Sequence, residues 1–306
     1  WIWAFPLLKK YNLKATIFVC PELVDLQNKI RPNLEDYWRK IVSYEEINQL
    51  GYLSWSEMKV MLDSGLIDIQ SHTMSHTRYF VSDKLTGFHH PGNDCLYPVG
   101  NLFPHLKPYH ILSRSFEKQI PYGYPLFEEM SSVCARRVMI NESFIEICIK
   151  DLAHYDFDKY SFTTAFNEVV GLYDEYRSDG ILITDVETDE SIMKRLRYEI
   201  IDSKKILEEN LQTRIEFLCW PHGDNTETAH QLAIETGYLA TTAGSKIKCP
   251  DSIDRIPNRI GMSHVRNNRF LSNLKARYKI GSSLGLFPYK QVNVSYNLVR
   301  YGKARI

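Results

Sequence analysis

The stretch from Ser54 to His76 constrains the fold more than any other part of the chain. Trp55 to Leu62 has helical character, with Ser54 as its N-cap and Glu57 at the third helical position, the pairing of a capping box. Gly65 ends the helix, and Leu66-Ile-Asp-Ile-Gln-Ser71 follows at once as a short β-run carrying Leu66, Ile67 and Ile69. A second β-rich run, Ala15-Thr-Ile-Phe-Val-Cys20, lies upstream. Strand, helix and mostly apolar strand in that order predict parallel strands with crossover helices. At the mouth of the second strand stand His72 and His76, four residues apart and flanked by hydroxyls. Imidazoles so placed can grip one divalent ion. The spacing alone fits a surface pair or a buried, backbone-bonded histidine equally well, because short motifs recur by chance.

The second half of the chain repeats the alternation. Thr188 to Leu211 reads as a helix with an acidic start (Asp189, Glu190) and Met193, Leu196, Ile200 and Leu207 on one face. Arg214 to Trp220 alternates as a strand, and Pro221-His222-Gly223-Asp224-Asn225 is a turn cluster. Thr226 to Glu235 is a helix closed by Gly237, and Tyr238 to Thr242 is the next strand. Between the halves, residues 78–135 are rich in Pro, Gly, Tyr and His and read as a long loop-like stretch. Residues 142–177 read as helical, and 180–184 form an apolar run of either type. The expectation is one α/β domain over 1–306, with an insertion at about 78–185 and an unassigned tail at about 265–306.

Charge narrows the partners. Lys+Arg and Asp+Glu are both 37, so a polyanion such as nucleic acid is not favoured. No run approaches the roughly 18 apolar residues of a membrane span. The six cysteines are dispersed and form no C-x-x-C pair, which points to free thiols in a reducing compartment such as the cytoplasm. The chain opens on Trp1 in an apolar helical pattern without an initiator Met, so its native N-terminus is expected upstream.

Four pieces, in order, resemble the polysaccharide deacetylases of the NodB-homology type (carbohydrate esterase family 4). Pro6 to Val19 is similar to the segment after that family's first motif. Leu53-Ser-Trp-Ser-Glu-Met and Gly65 to His76 resemble its second, His-Ser/Thr-x-x-His. Ser203 to Glu209 with Phe217 to Gly223 resembles the approach to its third. Ala233 to Thr242 is similar to the helix and strand that follow.

The resemblance implies a distorted (β/α) barrel, here lacking its first strand, and hydrolysis of acetyl groups, N-acetyl above all, from a surface polysaccharide or glycan. It implies a divalent metal, zinc foremost, with His72 and His76 as ligands and Thr73 bracing the loop between them. Trp220, Pro221 and His222 would line the substrate groove, Trp220 offering an apolar face and His222 a backbone N–H to the developing oxyanion. The family's Asp-Asp motif, source of the third ligand and the general base, falls upstream of residue 1. The arginine that often precedes its third motif falls at Cys219. His264 is the candidate acid. This chain is therefore expected to be a catalytically incomplete version of a deacetylase. The alternatives are a non-catalytic glycan-binding relative on the same fold and a structural metal domain.

Overall fold

The structure is a computed structural model that describes residues 1–49, 51–93, 100–109, 119–242, 268–283, 285–289 and 291–292. The chain divides into two compact units, Trp1–Pro257 and Asn258–Ile306. In the second unit the helix Arg269–Ser283 carries Gly281, where a Cβ would collide with the ring of Tyr289.

The first unit is built on a four-stranded sheet. Its strands are β1 (Ala15–Val19), β2 (Ile67–Ser71), β7 (Phe217–Leu218) and β8 (Ala240–Thr241), side by side in that order and all parallel. The register runs Val19 to Ser71, Ser71 to Leu218, and Leu218 to Thr241. The α/β reading and its parallel strands hold. Among the described residues the sheet has four strands with β1 at one edge, so the distorted barrel expected from the sequence is not shown.

Helices cover the sheet because their apolar stripes face it. Met58 and Met61 of Trp55–Asp63 pack with Ile67 and Ile69 of β2, and Leu196, Ile200 and Leu207 join the same core. The capping box is present, with Glu57 N–H donating to Ser54 Oγ (3.1 Å) and Ser54 N–H to Glu57 Oε2 (3.2 Å). Glu57 is fully buried and also takes a bidentate grip from Arg31 (2.8 and 2.7 Å), so its carboxylate ties the 31–33 segment to the helix start.

The expected helix over 188–211 forms as Asp189–Arg197 and Ser203–Leu211, joined by a wider π-helical turn over Tyr198–Asp202. Such a turn shifts the side chains after it around the axis, and π-turns often sit at functional sites.

The insertion departs most from expectation. Residues 78–135 are not loop-like throughout: β3 (Arg78–Phe88) and β4 (Pro125–Ser131) pair antiparallel. A second pair joins β5 (Val138–Ile140) to β6 (Ile183–Val186), and the helices Glu142–Asp151 and Phe162–Ser178 match the helical reading of 142–177. These elements enclose a core of their own, including Phe88, Phe127, Phe144, Leu152 and Val169. The β3–β4 register slips between Phe80 and Leu85 and again before Gly87. Each slip breaks the two-residue alternation by which a strand is recognised in sequence.

Glu57→Ala is expected to lower stability by about 3 kcal/mol, because it strands a largely buried guanidinium and removes a cap. A urea unfolding curve checks this. A midpoint unchanged from wild type would show that the Arg31–Glu57 pair contributes nothing.

Candidate functional site

The site forms where β2 and β7 end together. The Cys219 N–H donates to Ser71 O (2.9 Å), continuing the ladder one residue past the strands, and the His72 N–H donates to Val19 O (2.9 Å) on the other side. His72 and the Cys219–His222 turn therefore leave the sheet as neighbours, at the carboxyl ends of parallel strands where α/β sheets place their ligands. Gln70 Oε1 accepts from the Glu216 and Phe217 N–H groups, both at 2.8 Å, and so anchors the start of the two-residue β7.

Three imidazoles meet there. The ring centroids of His72 and His76 are 5.1 Å apart, and those of His76 and His222 are 4.8 Å apart. His72 Nδ1 lies 2.6 Å from Cys219 O. A carbonyl can only accept, so Nδ1 carries the proton and Nε2 is the lone-pair nitrogen, the tautomer a metal ligand needs. Burial, reinforced by His72 and His222, pulls the His76 pKa down to about 4. Burial and then Arg78 lower His222, against an opposing pull from Asp224. Neutral imidazole is the ligating form.

The loop bearing the pair is held under conformational strain. Thr73 (φ 64°), His76 (φ 52°) and His222 (φ 57°) all adopt left-handed backbone, a conformation that costs a non-glycine residue about 1 kcal/mol or more. Glu199 is what the loop closes upon. Its carboxylate, only 1% exposed, accepts from the Met74 and Ser75 N–H groups (3.0 Å each) and from Ser75 Oγ. Next to it, Tyr198 donates to Glu22 Oε1 (2.5 Å), and Lys107 bridges Glu22 and Thr77 Oγ1. A cavity of about 350 Å³, lined by Ile17, Val19, Cys20, Leu23, Tyr52 and both histidines, opens beside the pair.

His72 and His76 are thus brought together, with His222 alongside. Pro221 is buried. Trp220 corrects the expectation of an exposed groove wall: it is fully buried, because its ring is part of the same apolar core as Leu196, Ile200 and Leu207. Thr73 is buried, and its hydroxyl has no hydrogen-bond partner among the described residues. The loop is braced instead by the Cys219 carbonyl and Glu199, with the Cys20 thiol and the Glu22 N–H donating to the His72 and Met74 carbonyls. His264 lies outside the described residues. His89, within the stretch read as loop-like, is buried against Tyr122.

Sequence reasoning missed Glu199 and the imidazole of His222. Glu199 had a signal: it falls on the apolar stripe of Leu196, Ile200 and Leu207, where an acid must be buried and bonded.

The donor chemistry fits two ligands of a divalent ion. Among the described residues no set of three or more His, Cys, Asp or Glu is arranged to hold one. Nor is any described helix long and apolar enough to cross a membrane.

In metal-free protein the depressed His76 pKa predicts acid sensitivity. The unfolded chain binds a proton near 6.5 and the folded chain only near 4, so stability is full above about pH 6.5 and is lost as pH falls towards 4. The loss is about 2 kcal/mol after allowance for partial solvent contact. Thermal melts in chelator across that window check it, and His76→Asn, which tolerates left-handed backbone, should flatten the slope. An equal slope in the variant would assign it to other groups.

Residues 3–89 match the family model for polysaccharide deacetylase, the family that the sequence resembles. No curated protein matches the chain. Among solved structures it is similar to a de-N-acetylase from Aggregatibacter actinomycetemcomitans, at 16% identity and a TM-score of 0.41, covering 84% of this chain and 63% of that one. It is similar to the BpsB deacetylase domain of Bordetella bronchiseptica, at 16% identity and 0.39, covering 78% and 57%. It is also similar to IcaB from Ammonifex degensii, at 14% identity and 0.30, covering 82% and 64%. The chain thus spans less than two thirds of the length of each of these structures.

Proposed function

We propose that this chain carries the histidine half of a metal-dependent carbohydrate deacetylase acting on an N-acetylated glycan. The observation that supports this reading most is the His72–His76 pair at the end of a parallel strand, with His72 held in the ligating tautomer, inside the segment that matches the deacetylase family. We read the four-stranded sheet as one arc of that family's distorted (β/α) barrel.

His72 and His76 would supply two ligands to a divalent ion, zinc foremost. Bound there, the ion would act as a Lewis acid on the acetamide carbonyl and on water. The described residues contribute the rest of the setting. Cys219 O fixes the His72 ring, and Glu199 holds the loop. The 221–223 turn, whose residue His222 stands in left-handed backbone, lies beside the pair and would present its backbone N–H to the acetyl oxygen. The third ligand and the general base are assigned to residues outside those described, and the acid to His264.

The second reading, a glycan binder without chemistry, has one observation in its favour: no described carboxylate joins the two histidines in a metal-holding set.

In a polypeptide that also carries the third ligand and the general base, His72→Ala is expected to abolish acetate release from an N-acetylglucosamine oligomer and to weaken Zn²⁺ binding at least about a hundredfold, with circular dichroism unchanged. Acetate release undiminished in the variant would remove His72 from the reaction. Oligomer binding that survives chelation, with no acetate released by wild type, would favour the binder.

A further inference from the structure

We propose that Glu199 is the positioning residue of the site: its buried carboxylate fixes the His72–His76 loop in the conformation that turns both imidazoles toward one ion. The inference rests on the metal reading above for its purpose, but its geometry stands without it.

The carboxylate is enclosed by the loop. One oxygen accepts two successive backbone N–H groups, those of Met74 and Ser75, and the other accepts the Ser75 hydroxyl. Successive N–H groups turned onto one oxygen form an anion-binding concavity. An ionised carboxylate has acceptors only, and the loop presents donors only. Among the described residues no Lys, Arg or His forms an ion pair with Glu199, so the loop is its main polar environment. Ser75 Oγ in turn accepts from the Thr77 N–H (3.1 Å), carrying the hold past the second histidine.

The two gripped residues lie between Thr73 and His76, both left-handed. Without an acceptor, the Met74 and Ser75 N–H groups would be buried and unbonded, and the strained residues flanking them could relax to ordinary backbone. A relaxed His76 would no longer face His72. The π-helical turn over Tyr198–Asp202 places the acid, and its neighbours Leu196 and Ile200 are locked in the core. A rigid helix thus sets a loop geometry that the loop's own sequence does not favour. Glu199 acts only through the loop and is not itself a ligand.

The test uses the whole chain and Zn²⁺ alone as probe. Three variants are compared by Zn²⁺ titration calorimetry and by ¹⁵N shifts of the histidine rings in metal-free protein. Glu199→Gln keeps length and one carbonyl oxygen for the two N–H groups, and is expected to bind Zn²⁺ within about threefold of wild type. Glu199→Asp, one methylene short, and Glu199→Ala are expected to weaken binding about 10- to 100-fold. Both should also shift the His76 ring resonances. If the alanine variant does not fold, the Asp variant decides. Wild-type affinity with unmoved His76 resonances in Glu199→Asp overturns the proposal, as does a Gln variant no better than Asp. If wild type itself binds no Zn²⁺, the metal reading fails, and the ring shifts alone then decide whether Glu199 positions the loop.

Discussion

The site depends on one lateral contact in the sheet, the pairing of β2 with β7 at Ser71 and Leu218. β7 is only two residues long, so little of its own hydrogen bonding fixes it. Gln70 supplies what is missing by accepting both N–H groups at its start, and the Cys219 N–H extends the ladder by one bond. That extension brings the Cys219 carbonyl to His72 Nδ1. A slip of one residue would turn every side chain of β7 to the other face. It would bring a different carbonyl to the imidazole and draw the His222 turn away from His76. Register in the core and tautomer at the rim are therefore one constraint.

A second consequence is that the site is held from behind. Three non-glycine residues with positive φ cluster at the rim. Such strain persists only where surrounding structure over-determines it. Here the surroundings are a helix with a π-helical turn, a buried acid, and a small network of Tyr198, Glu22, Lys107 and Thr77. The same helix supplies Leu196 and Ile200 to the core. Burial of apolar surface thus stabilises the element whose polar residues shape the loop.

Sequence patterns revealed the scaffold where period and punctuation agreed. Ser54, Glu57 and Gly65 delimit a helix, Ile67 and Ile69 mark a buried strand, and Thr226 and Gly237 bound another helix as read. The histidine pair was legible because both residues lie on one short loop. The insertion was not, because bulges disrupt the alternation of β3 and its partner strand lies far along the chain. Trp220 misled because an aromatic before a Pro-Gly turn fits a groove wall as well as it fits a core. Only the direction in which β7 ends distinguishes the two, and direction is a tertiary property. Glu199 and His222 reach the site across the fold, and no local pattern announces such a meeting.

The electrostatics of the rim bear on what must complete it. His72, His76 and His222 are close together, and Arg78 adds a positive charge that lowers both His76 and His222. Neutral rings are good ligands, but they bring no negative charge to a dication, which meets repulsion from Arg78 against only the opposing pull of Asp224. Of the described carboxylates, Glu199 is turned to the loop backbone, Glu129 is bonded to Arg78, and Asp224 also faces that guanidinium at 4.0 Å. A divalent ion held by His72 and His76 therefore calls for an anionic ligand from beyond these residues. In a low-dielectric pocket beside an apolar cavity that ligand would contribute more than either imidazole. The deacetylase and glycan-binding readings then differ in a single physical quantity, the negative charge brought to this rim, while the scaffold that orients the two histidines is common to both.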